Sequence, residues 1–416
     1  MNKVGGVLQY GVIEALGQVG TSPDGGCTRL ALTDADKEGR DCVVSVMQEL
    51  GLEVRVDQVG NVVGVRAGQT KRGPILMGSH IDSVRRGGKF DGVLGVASAL
   101  EVIKYLNDNN VRTNHPFAVG LFTNEEGAYY SPDMTGSAVY TGALGLETAL
   151  DLRSVDGHML GEELRRIGYA GPVQCPGERP AAYLELHVEQ GGKLDKAGKT
   201  IGVVTGIQGI SWPTVKVVGH ANHGGTTATE DRRNAGAAVC RIAAYASFLP
   251  VQMRDNLLLV NPGRIVFEPN LRNVIPGRAL LELDLRHPNW GVLEEVEDMI
   301  IQFVKGVALE LRVTIENIIE LENRQWPARF RPVPFENRVV EMVEEVAHGF
   351  EFSTMRLHSG AGHDAQMFAK ICPTGMIFVP SVKGLSHCPE EFTSEEHCVA
   401  GANVLLNTAL VLDWRL

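Results

Sequence analysis

The stretch PILMGSHIDSVRRGGKFDGVLGVASALEVIKYL, residues 74–106, decides the fold class. Its first seven residues, 74–80, form the apolar run of a buried strand. After a glycine-rich loop, apolar residues return at spacings of three and four, which predicts an α-helix over 92–108. A buried strand followed by a helix is the repeating unit of an α/β domain with a largely parallel sheet.

The same strand-and-helix pattern continues on both sides of this stretch. Residues 52–68, LEVRVDQVGNVVGVRAG, alternate apolar and polar side chains around a Gly-Asn turn, which predicts two strands. Residues 116–123 and 181–189 are further strands, and residues 34–50 have the acidic start and the spacing of a helix. These elements predict an α/β domain with a mixed, largely parallel sheet flanked by helices.

The pattern changes near residue 211. A strand, a helix over 229–249, two strands and a helix over 291–310 follow, which is typical of an α+β domain with an antiparallel sheet. After these elements the α/β pattern returns. We therefore predict one discontinuous α/β domain, residues 1–211 and 330–416, with an α+β domain inserted at 212–329.

Composition limits the classes of partner. The 416 residues include 39 Lys and Arg against 50 Asp and Glu, a formal charge of −11 without any basic block, so nucleic acid and membrane surfaces are not expected partners. No apolar run approaches the roughly 18 residues of a membrane span, and the N-terminal residues do not resemble a signal peptide. The seven cysteines are scattered without a CxxC pair, which indicates free thiols and a cytoplasmic protein.

Polar side chains occur where the predicted strands end. His80, the pair Glu125–Glu126 and His187 all lie at or just after such ends, where α/β sheets bind ligands. Asp82, Asp91 and His387 lie in nearby glycine-containing loops. Imidazoles together with carboxylates suit zinc, manganese, cobalt or nickel. Spacing alone leaves two alternatives open, a metal site and a set of ordinary hydrogen-bonded or solvated side chains.

The adjacent glutamates in LFTNEEGAYYSP, residues 121–132, favour the metal site. Two neighbouring like charges gain nothing structurally, but they are useful if a cation lies beside them. If Glu126 binds a metal, Glu125 is available to accept a proton from water. One carboxylate bridging two ions would complete a two-metal site of the kind that activates water.

Eight motifs in order resemble one known family. They are HIDSVRRGGKFDGVLGV, TNEEG, ELHVEQG, GHANHGGTT, NVIPG, LDLRHP, SGAGHDAQMF and GLSHCPEEFT. Together they resemble the amidase, hydantoinase/carbamoylase family of binuclear metallohydrolases, which is related to the aminoacylase-type zinc peptidases. The resemblance covers residues 30–412. It implies a catalytic domain at 1–211 and 330–416 and an inserted dimerisation, or lid, domain at 212–329.

The resemblance also implies a role for each site residue. His80 and His387 match metal ligands, Asp91 the bridging carboxylate, and Glu126 and His187 ligands of the other side. Asp82 matches a carboxylate that orients His80, and Glu125 matches the general base. These assignments imply two divalent ions per subunit, zinc or manganese, with cobalt or nickel as further possibilities.

The implied lid and substrate residues form a second set. His223 matches a histidine that stabilises the oxyanion, and the family's lid acts across a homodimer interface. The groups that match substrate contacts are Gln190, Asn273, Arg286, Ser359 and Gly360. Arg286 suits a substrate carboxylate because its guanidinium is a planar fork, although a surface salt bridge is an alternative role for it.

The reaction implied by the resemblance is hydrolysis of an N-carbamoyl amino acid to the amino acid, carbon dioxide and ammonia. A bridging hydroxide would attack the ureido carbonyl, with Glu125 as the general base. The alternatives are allantoate, N-carbamoyl-β-alanine, an N-acyl amino acid, or a scaffold that binds its ligand without turnover. Tyr129 in place of the family's usual arginine, the altered lid sequence GTTATED, and Gly192-Lys193 where the family often has proline leave the substrate open.

Overall fold

The computed structural model describes residues 1–23, 25–316 and 329–416. These residues form two compact units, one comprising Met1–Ile207 and Pro334–Leu416 and the other Gln208–Val333. Part of the predicted inserted domain, residues 317–328, lies outside the described residues. The catalytic and lid roles that the sequence assigns to the two parts of the chain stay predictions at this point.

The elements before the second unit alternate as the sequence indicates. In chain order they are α1 Val7–Gln18, α2 Asp34–Glu49, β1 Glu53–Val56, β2 Val62–Arg66, β3 Ile75–His80, α3 Val93–Asp108, β4 Phe117–Phe122, α4 Thr135–Tyr140, α5 Leu146–Leu150, α6 Leu160–Ile167, β5 Ala182–Val188, α7 Lys193–Ala197 and β6 Ile201–Ile207.

The remaining described elements complete both units. They are β7 Gly209–Ser211, β8 Thr214–Val218, β9 Asn222–His223, α8 Ala235–Met253, β10 Leu259–Glu268, β11 Val274–Ile275, β12 Arg278–His287, α9 Trp290–Leu311, β13 Thr314–Ile315, β14 Arg329–Phe330, β15 Val333–Pro334, α10 Asn337–Gly349, β16 Thr354–Ser359, α11 Ala365–Phe368, β17 Thr374–Val379 and α12 Glu395–Arg415. Short 3-10 helices lie at Thr229–Asp231 and Val382–Gly384.

The first unit contains a mixed sheet. Its strands lie in the order β1-β2-β4-β3-β5-β17-β6, with β16 also paired to β6. The neighbours β4-β3-β5-β17 are parallel, and so is β16 to β6, whereas β1-β2, β2-β4 and β17-β6 are antiparallel. The four central strands are buried along their whole length, as strands covered by helices on both faces must be. Their carboxyl ends therefore lie along one edge of the sheet.

The second unit is built on an antiparallel sheet. The strand order is β13-β8-β12-β7-β14, and β10 pairs along β12. Two long helices, α8 and α9, pack their apolar faces on this sheet through residues such as Ile242, Leu281 and Ile300. The fold class is thus confirmed. The predicted helix start near residue 229 was too early, because α8 begins at Ala235, where the side chain of Asn234 accepts the N–H of Ala237.

None of the described helices combines enough length with enough apolar character to cross a bilayer.

Candidate metal centre

Two histidines mark the carboxyl edge of the first unit's sheet. His80 ends β3 and His187 lies one residue before the end of β5. Their rings stack with centroids 6.0 Å apart. The Nδ1 of His80 lies 2.9 Å from the carbonyl oxygen of Asp82, and the Nδ1 of His187 lies 2.9 Å from that of Val188. Because a carbonyl can only accept, each Nδ1 carries a proton, and Nε2 is the nitrogen of each ring that would bind a metal.

Asp91 lies between these imidazoles and a third one. Its Oδ1 is 3.2 Å from Nε2 of His187 and 3.6 Å from Nε2 of His80. Its Oδ2 is 3.2 Å from Nε2 of His387. The two oxygens of one carboxylate therefore face two different sets of donors. This is the arrangement that a bridging ligand requires.

Gly92 makes this approach possible. It follows Asp91 with φ of +65°, and a Cβ at this position would lie 2.5 Å from ring atoms of His80. Only glycine adopts this backbone conformation without strain and leaves room for the imidazole. The glycine-rich loop thus folds Asp91 back to the end of β3, as its sequence indicated.

The donors divide into two groups. Ligand atoms of His80, Asp91 and His187, called here the inner group, all lie within 4.8 Å of one another, and so do those of Asp91, Glu126 and His387, the outer group. In the outer group, Oε2 of Glu126 is 3.3 Å from Nε2 of His387. The resemblance assigned Glu126 and His187 to one side, but the structure puts them in different groups. His187 is on β5, whereas Glu126 lies in the loop after β4, and β3 lies between these two strands in the sheet.

A third set of possible donors overlaps the inner group. It consists of Glu185, His187 and His363. His187 cannot serve both sets, because its Nε2 faces Asp91 and its Nδ1 is engaged by the Val188 carbonyl. Glu185 already accepts from Ser79 Oγ and from the N–H of Ala365. Glu185 and His363 therefore lie beside the inner ligand His187, and this set is not a separate metal site.

The paired glutamates separate as soon as the strand ends. Oε2 of Glu125 lies 3.4 Å from Nε2 of His80, whereas Glu126 turns to His387. Asn124, just before them, has φ of +54°, a conformation that asparagine tolerates. Its side-chain amide donates to the carbonyl of Tyr130 and to Oγ1 of Thr135. Asn124 thus fixes the turn that sends the two carboxylates in different directions.

Asp82 holds this turn from the other side. Its two carboxylate oxygens accept the backbone N–H groups of Glu125 and Glu126, at 3.2 and 3.3 Å. The resemblance gave its carboxylate the task of orienting His80. In the structure, the carboxylate oxygen is 3.7 Å from His80 Nδ1, and the backbone carbonyl makes the shorter contact. Asp82 is therefore a positioning residue for the paired glutamates as well as for His80.

The buried carboxyl groups of the site favour the binding of cations. Burial raises the pKa of the Glu126 carboxyl to about 8, and the charge of Asp91 adds to this effect. Burial also raises the pKa of Glu125 against the opposing charge of His80. A hydrogen bond to Asp91 raises the pKa of His387 to about 9. Buried carboxylates are thus in excess of the fixed positive charges, and this set of imidazole and carboxylate donors fits divalent ions of the zinc and manganese type.

Three predicted substrate contacts lie at or near these groups. The side-chain Nε2 of Gln190 donates to Oδ2 of Asp91 at 2.9 Å and lies 3.3 Å from Nε2 of His387. Ser359 ends β16, where its Oγ lies 2.9 Å from Nε2 of His363. Gly360 follows it in the loop to α11. Asp364 is the N-cap residue of α11 but makes no side-chain cap hydrogen bond.

The remaining predicted residues lie in the second unit. His223 is in the two-stranded ribbon β9–β11, opposite Val274, and Asn273 directly precedes that residue. The Nδ1 of His223 accepts the N–H groups of Gly225 and Thr226, at 3.0 and 3.2 Å.

Arg286 lies one residue before the C-terminal end of β12. Its Nε donates to both carboxylate oxygens of Asp284, at 2.9 and 3.0 Å. The salt bridge that the sequence left as an alternative is therefore present. It does not exclude a role in binding, because a guanidinium has further N–H donors besides Nε.

The departures from the family pattern have different surroundings. Tyr129 is buried in the core of the first unit, with its ring 5.1 Å from that of Tyr130. Gly192 is the N-cap residue of α7. In GTTATED, Oγ1 of Thr227 donates to the carbonyl of His223, so this segment supports the ribbon that carries His223.

Sequence reasoning missed Glu391. Its carboxylate accepts the N–H of Asp91 and the hydroxyl of Ser386, the residue before His387. The signal was the second glutamate of GLSHCPEEFT, which the sequence alone could not distinguish from the exposed Glu390.

The chain is similar in sequence to known proteins over most of its length. The model of the peptidase family M20/M25/M40 matches residues 76–411. An N-carbamoyl-L-amino-acid amidohydrolase of Rhizobium meliloti is 38% identical over 398 residues, which covers 95% of this chain and 93% of that protein. An allantoate amidohydrolase of Bacillus subtilis is 35% identical, with 94% of each covered.

Solved structures are similar to this chain as well. An amidase of the hydantoinase/carbamoylase family from Burkholderia multivorans superposes with a TM-score of 0.89 at 40% identity, covering 99% of this chain and 98% of that one. Similarity in sequence and in fold thus extends over nearly the whole chain.

Proposed function

This chain belongs to the hydantoinase/carbamoylase amidases of peptidase family M20/M25/M40, and on that premise we propose that it hydrolyses an N-carbamoyl-L-amino acid. It is a hydrolase of linear amide or ureido C–N bonds. The proposed products are the amino acid, carbon dioxide and ammonia. Allantoate is the second candidate substrate, because a 35% identical relative bears that name. N-carbamoyl-β-alanine and N-acyl amino acids follow.

The observation that carries the proposal is the arrangement of the donor atoms around Asp91. One of its oxygens faces the inner group, the other faces the outer group, and Glu125 belongs to neither. We propose that the two groups hold two divalent ions, zinc or manganese, with cobalt or nickel also suited to the donors. When bound, such ions would polarise the ureido carbonyl and make water a nucleophile near neutral pH.

Glu125 has the surroundings of a general base. It is buried beside His80 without being part of either donor group, so its carboxylate can take the proton of the attacking water. Burial raises its pKa, with the charges of Asp364 and Glu126 adding to the effect. A carboxyl with a raised pKa keeps a proton long enough to deliver it to the leaving nitrogen. Departure of ammonia leaves a carbamate, which breaks down to carbon dioxide and the free amine.

His223 has the tautomer that an oxyanion donor needs. Two backbone N–H groups point at its Nδ1, so this nitrogen must accept and cannot carry the ring proton. The proton of the neutral ring is therefore on Nε2, which becomes a donor. A donor aimed at the carbonyl oxygen stabilises the negative charge that develops there during attack.

The placement of the second unit's residues supports a homodimer. β12 runs from Arg278 to His287, and eight residues of strand place Arg286 about 26 Å from Arg278. The ribbon with His223 starts from the Arg278 end, where the N–H of Gly219 donates to the carbonyl of Gly277. One small ureido acid cannot span that length. We therefore propose that Arg286 serves one active site and that His223 with Asn273 serves the site of a second copy.

Exposed apolar residues in the second unit fit a contact with that second copy. They lie at the end of α8, in the following turn and on β10, and they are Phe248, Val251, Leu257, Leu259, Ile265 and Val266. Large apolar side chains left exposed in such number favour a contact with another protein surface.

The cysteines support the proposed cytoplasmic location, because all seven are free thiols.

The test of the reaction class is product analysis on metal-loaded protein. N-carbamoyl-L-amino acids, N-carbamoyl-β-alanine and allantoate would be scored for ammonia, and N-acetyl amino acids for free amine. Ammonia from a ureido acid supports the proposal and identifies the substrate. Free amine from acetyl compounds alone would make the protein a deacylase, and binding without product would make it a scaffold without turnover.

The shared site is tested by mixing two inactive variants, His223→Ala and Arg286→Ala, as refolded or co-expressed chains. If the two residues serve different copies, each mixed dimer has one intact site, and about a quarter of the wild-type sites return. If both residues serve one copy, every site in the mixture lacks one of them. No recovery of activity would then contradict the proposal.

A further inference from the structure

Glu391 connects the two loops that build the outer group. Its Oε1 accepts the backbone N–H groups of Phe90 and Asp91, at 3.0 and 3.1 Å. Its Oε2 accepts the hydroxyl of Ser386 at 2.7 Å. The side chain is nearly fully buried, with 5% of the residue exposed. One carboxylate therefore binds the loop of the bridging ligand Asp91 and the loop of His387 to each other.

The loop before Asp91 closes tightly around this carboxylate. A Cβ at Gly88 would lie only 2.2 Å from Oε1 of Glu391, so glycine is required there. On its own loop, the N–H of Glu391 donates to the carbonyl of Cys388 in a turn that directly follows His387. Neither loop can shift without breaking hydrogen bonds to Glu391.

The outer group needs such a connection more than the inner group does. The imidazoles of the inner group are on strands β3 and β5 and are buried. His387 lies on a loop with φ of +56°, and 46% of its side chain is exposed. Regular strands fix the inner ligands, but His387 has no regular element to hold it.

Ser386 adds a chemical reason. Its hydroxyl lies 2.7 Å from Oε2 of Glu391 and 3.1 Å from Oδ2 of Asp91, but it has only one proton to donate. Donation over the shorter distance, to Glu391, removes one of the two donors that compete with an ion for Asp91 Oδ2, the other being Nε2 of Gln190. Glu391 thus influences the ligand itself as well as its loop.

We infer that Glu391 is a positioning residue that supports the metal affinity of the outer group more strongly than that of the inner group, because it holds the loop of His387 as well as the shared ligand Asp91. The inference rests on the proposed function in assuming two ions per chain. Groups that orient metal ligands typically change metal affinity by about 10- to 100-fold when they are replaced.

The experiment measures metal binding by metal-free protein, using zinc with a competing chelator and metal analysis after equilibrium dialysis. Glu391→Gln keeps the size of the side chain and removes its charge, and Glu390→Gln, on an exposed neighbour, is the matched control. We expect Glu391→Gln to bind one ion at least about tenfold more weakly and the other with a clearly smaller loss of affinity. Glu390→Gln should bind both ions normally.

A second pair of variants assigns the weakened ion. His387→Ala removes an outer ligand, so the ion it retains reports the inner group. Adding Glu391→Gln to His387→Ala should weaken that retained ion less than Glu391→Gln weakens the outer ion of the otherwise wild-type protein. Ser386→Ala, which breaks only one arm of the connection, should weaken the same ion as Glu391→Gln does.

Three results would overturn the inference. They are two ions bound by Glu391→Gln with wild-type affinity, equal weakening of both ions, and a loss of affinity for the ion retained in the His387→Ala background that equals or exceeds the loss for the outer ion. A wild-type protein that binds a single ion would instead contradict the two-ion premise of the proposed function, and this inference would fall with it. The first result and the last differ in the wild-type stoichiometry, so the two failures are distinguishable.

Discussion

The Oε2 of Glu125 lies 3.4 Å from the Nε2 of His80, at the border of the inner group. The next residue, Glu126, faces His387 in the outer group. Two adjacent carboxylates therefore have separate surroundings, and the separation is produced by Asn124 and Asp82. Substitutions at the two positions should have different consequences.

Glu125→Gln should keep the metal content and lose turnover by about 10²- to 10⁴-fold or more, because the proton acceptor is removed but no ligand is. The measurement is kcat for ammonia release together with metal analysis. Glu126→Gln is the matched control and should lose the outer ion. Near-normal turnover in metal-replete Glu125→Gln would exclude Glu125 as the base.

His223→Ala should lower kcat by roughly 10²- to 10³-fold with unchanged metal content, because the Nε2 donor to the developing oxyanion is lost. His220→Ala, an exposed histidine three residues earlier in the chain, should have near wild-type kcat. A fall in the metal content of His223→Ala would show that His223 is a ligand and not a substrate group.

Gly92→Ala should lower metal affinity in the inner group and destabilise the first unit. The new Cβ would lie 2.5 Å from the His80 ring, at a backbone φ of +65° that alanine rarely adopts. Zinc titration and thermal unfolding would measure both effects. Gly306→Ala, inside α9 with open space around it, is the control and should be neutral or stabilising by about 0.4–1 kcal/mol. Wild-type zinc affinity in Gly92→Ala would mean that the His80 ring can move aside freely.

Glu101→Ala should destabilise the first unit by roughly 1–3 kcal/mol. The Glu101 carboxylate on α3 accepts the N–H groups of Gly6, Leu8 and Gln9, and so caps α1 from another helix. Urea unfolding monitored by circular dichroism is the measurement. Asp108→Ala, at the exposed end of the same helix, should change stability by less than about 0.5 kcal/mol. Equal effects of the two substitutions would argue against the capping role.

Chelation should lower the unfolding temperature, and zinc or manganese should restore it. The ions offset buried carboxylates that otherwise repel one another, and an ion present at 100 times its Kd stabilises the folded state by about 2.7 kcal/mol. Differential scanning calorimetry of chelated and reloaded protein is the measurement. An unchanged transition would contradict the fit of the donor set to divalent ions.

Much of the molecule could be predicted from local pattern. The apolar run at 74–80 and the spacing over 92–108 became β3 and α3, because burial of an element's own face repeats along its sequence. The same argument placed His80, Glu125 and His187 at one edge of a parallel sheet. The change of pattern near residue 211 likewise indicated an antiparallel α+β sheet, which β8, β10 and β12 form.

The sequence by itself thus determined the fold class, the strand ends that carry polar groups, and the residue types that suit a divalent metal. Only the tertiary structure decided which donors lie close to one another, that Asp82 holds the turn of the paired glutamates, and that Glu391 holds both outer-group loops. The physical reason is the range of the contacts. Periodicity reports the burial of a residue's own element, whereas the hydrogen bond between Asp91 and Glu391 joins residues 300 positions apart and exists only once the sheet has formed.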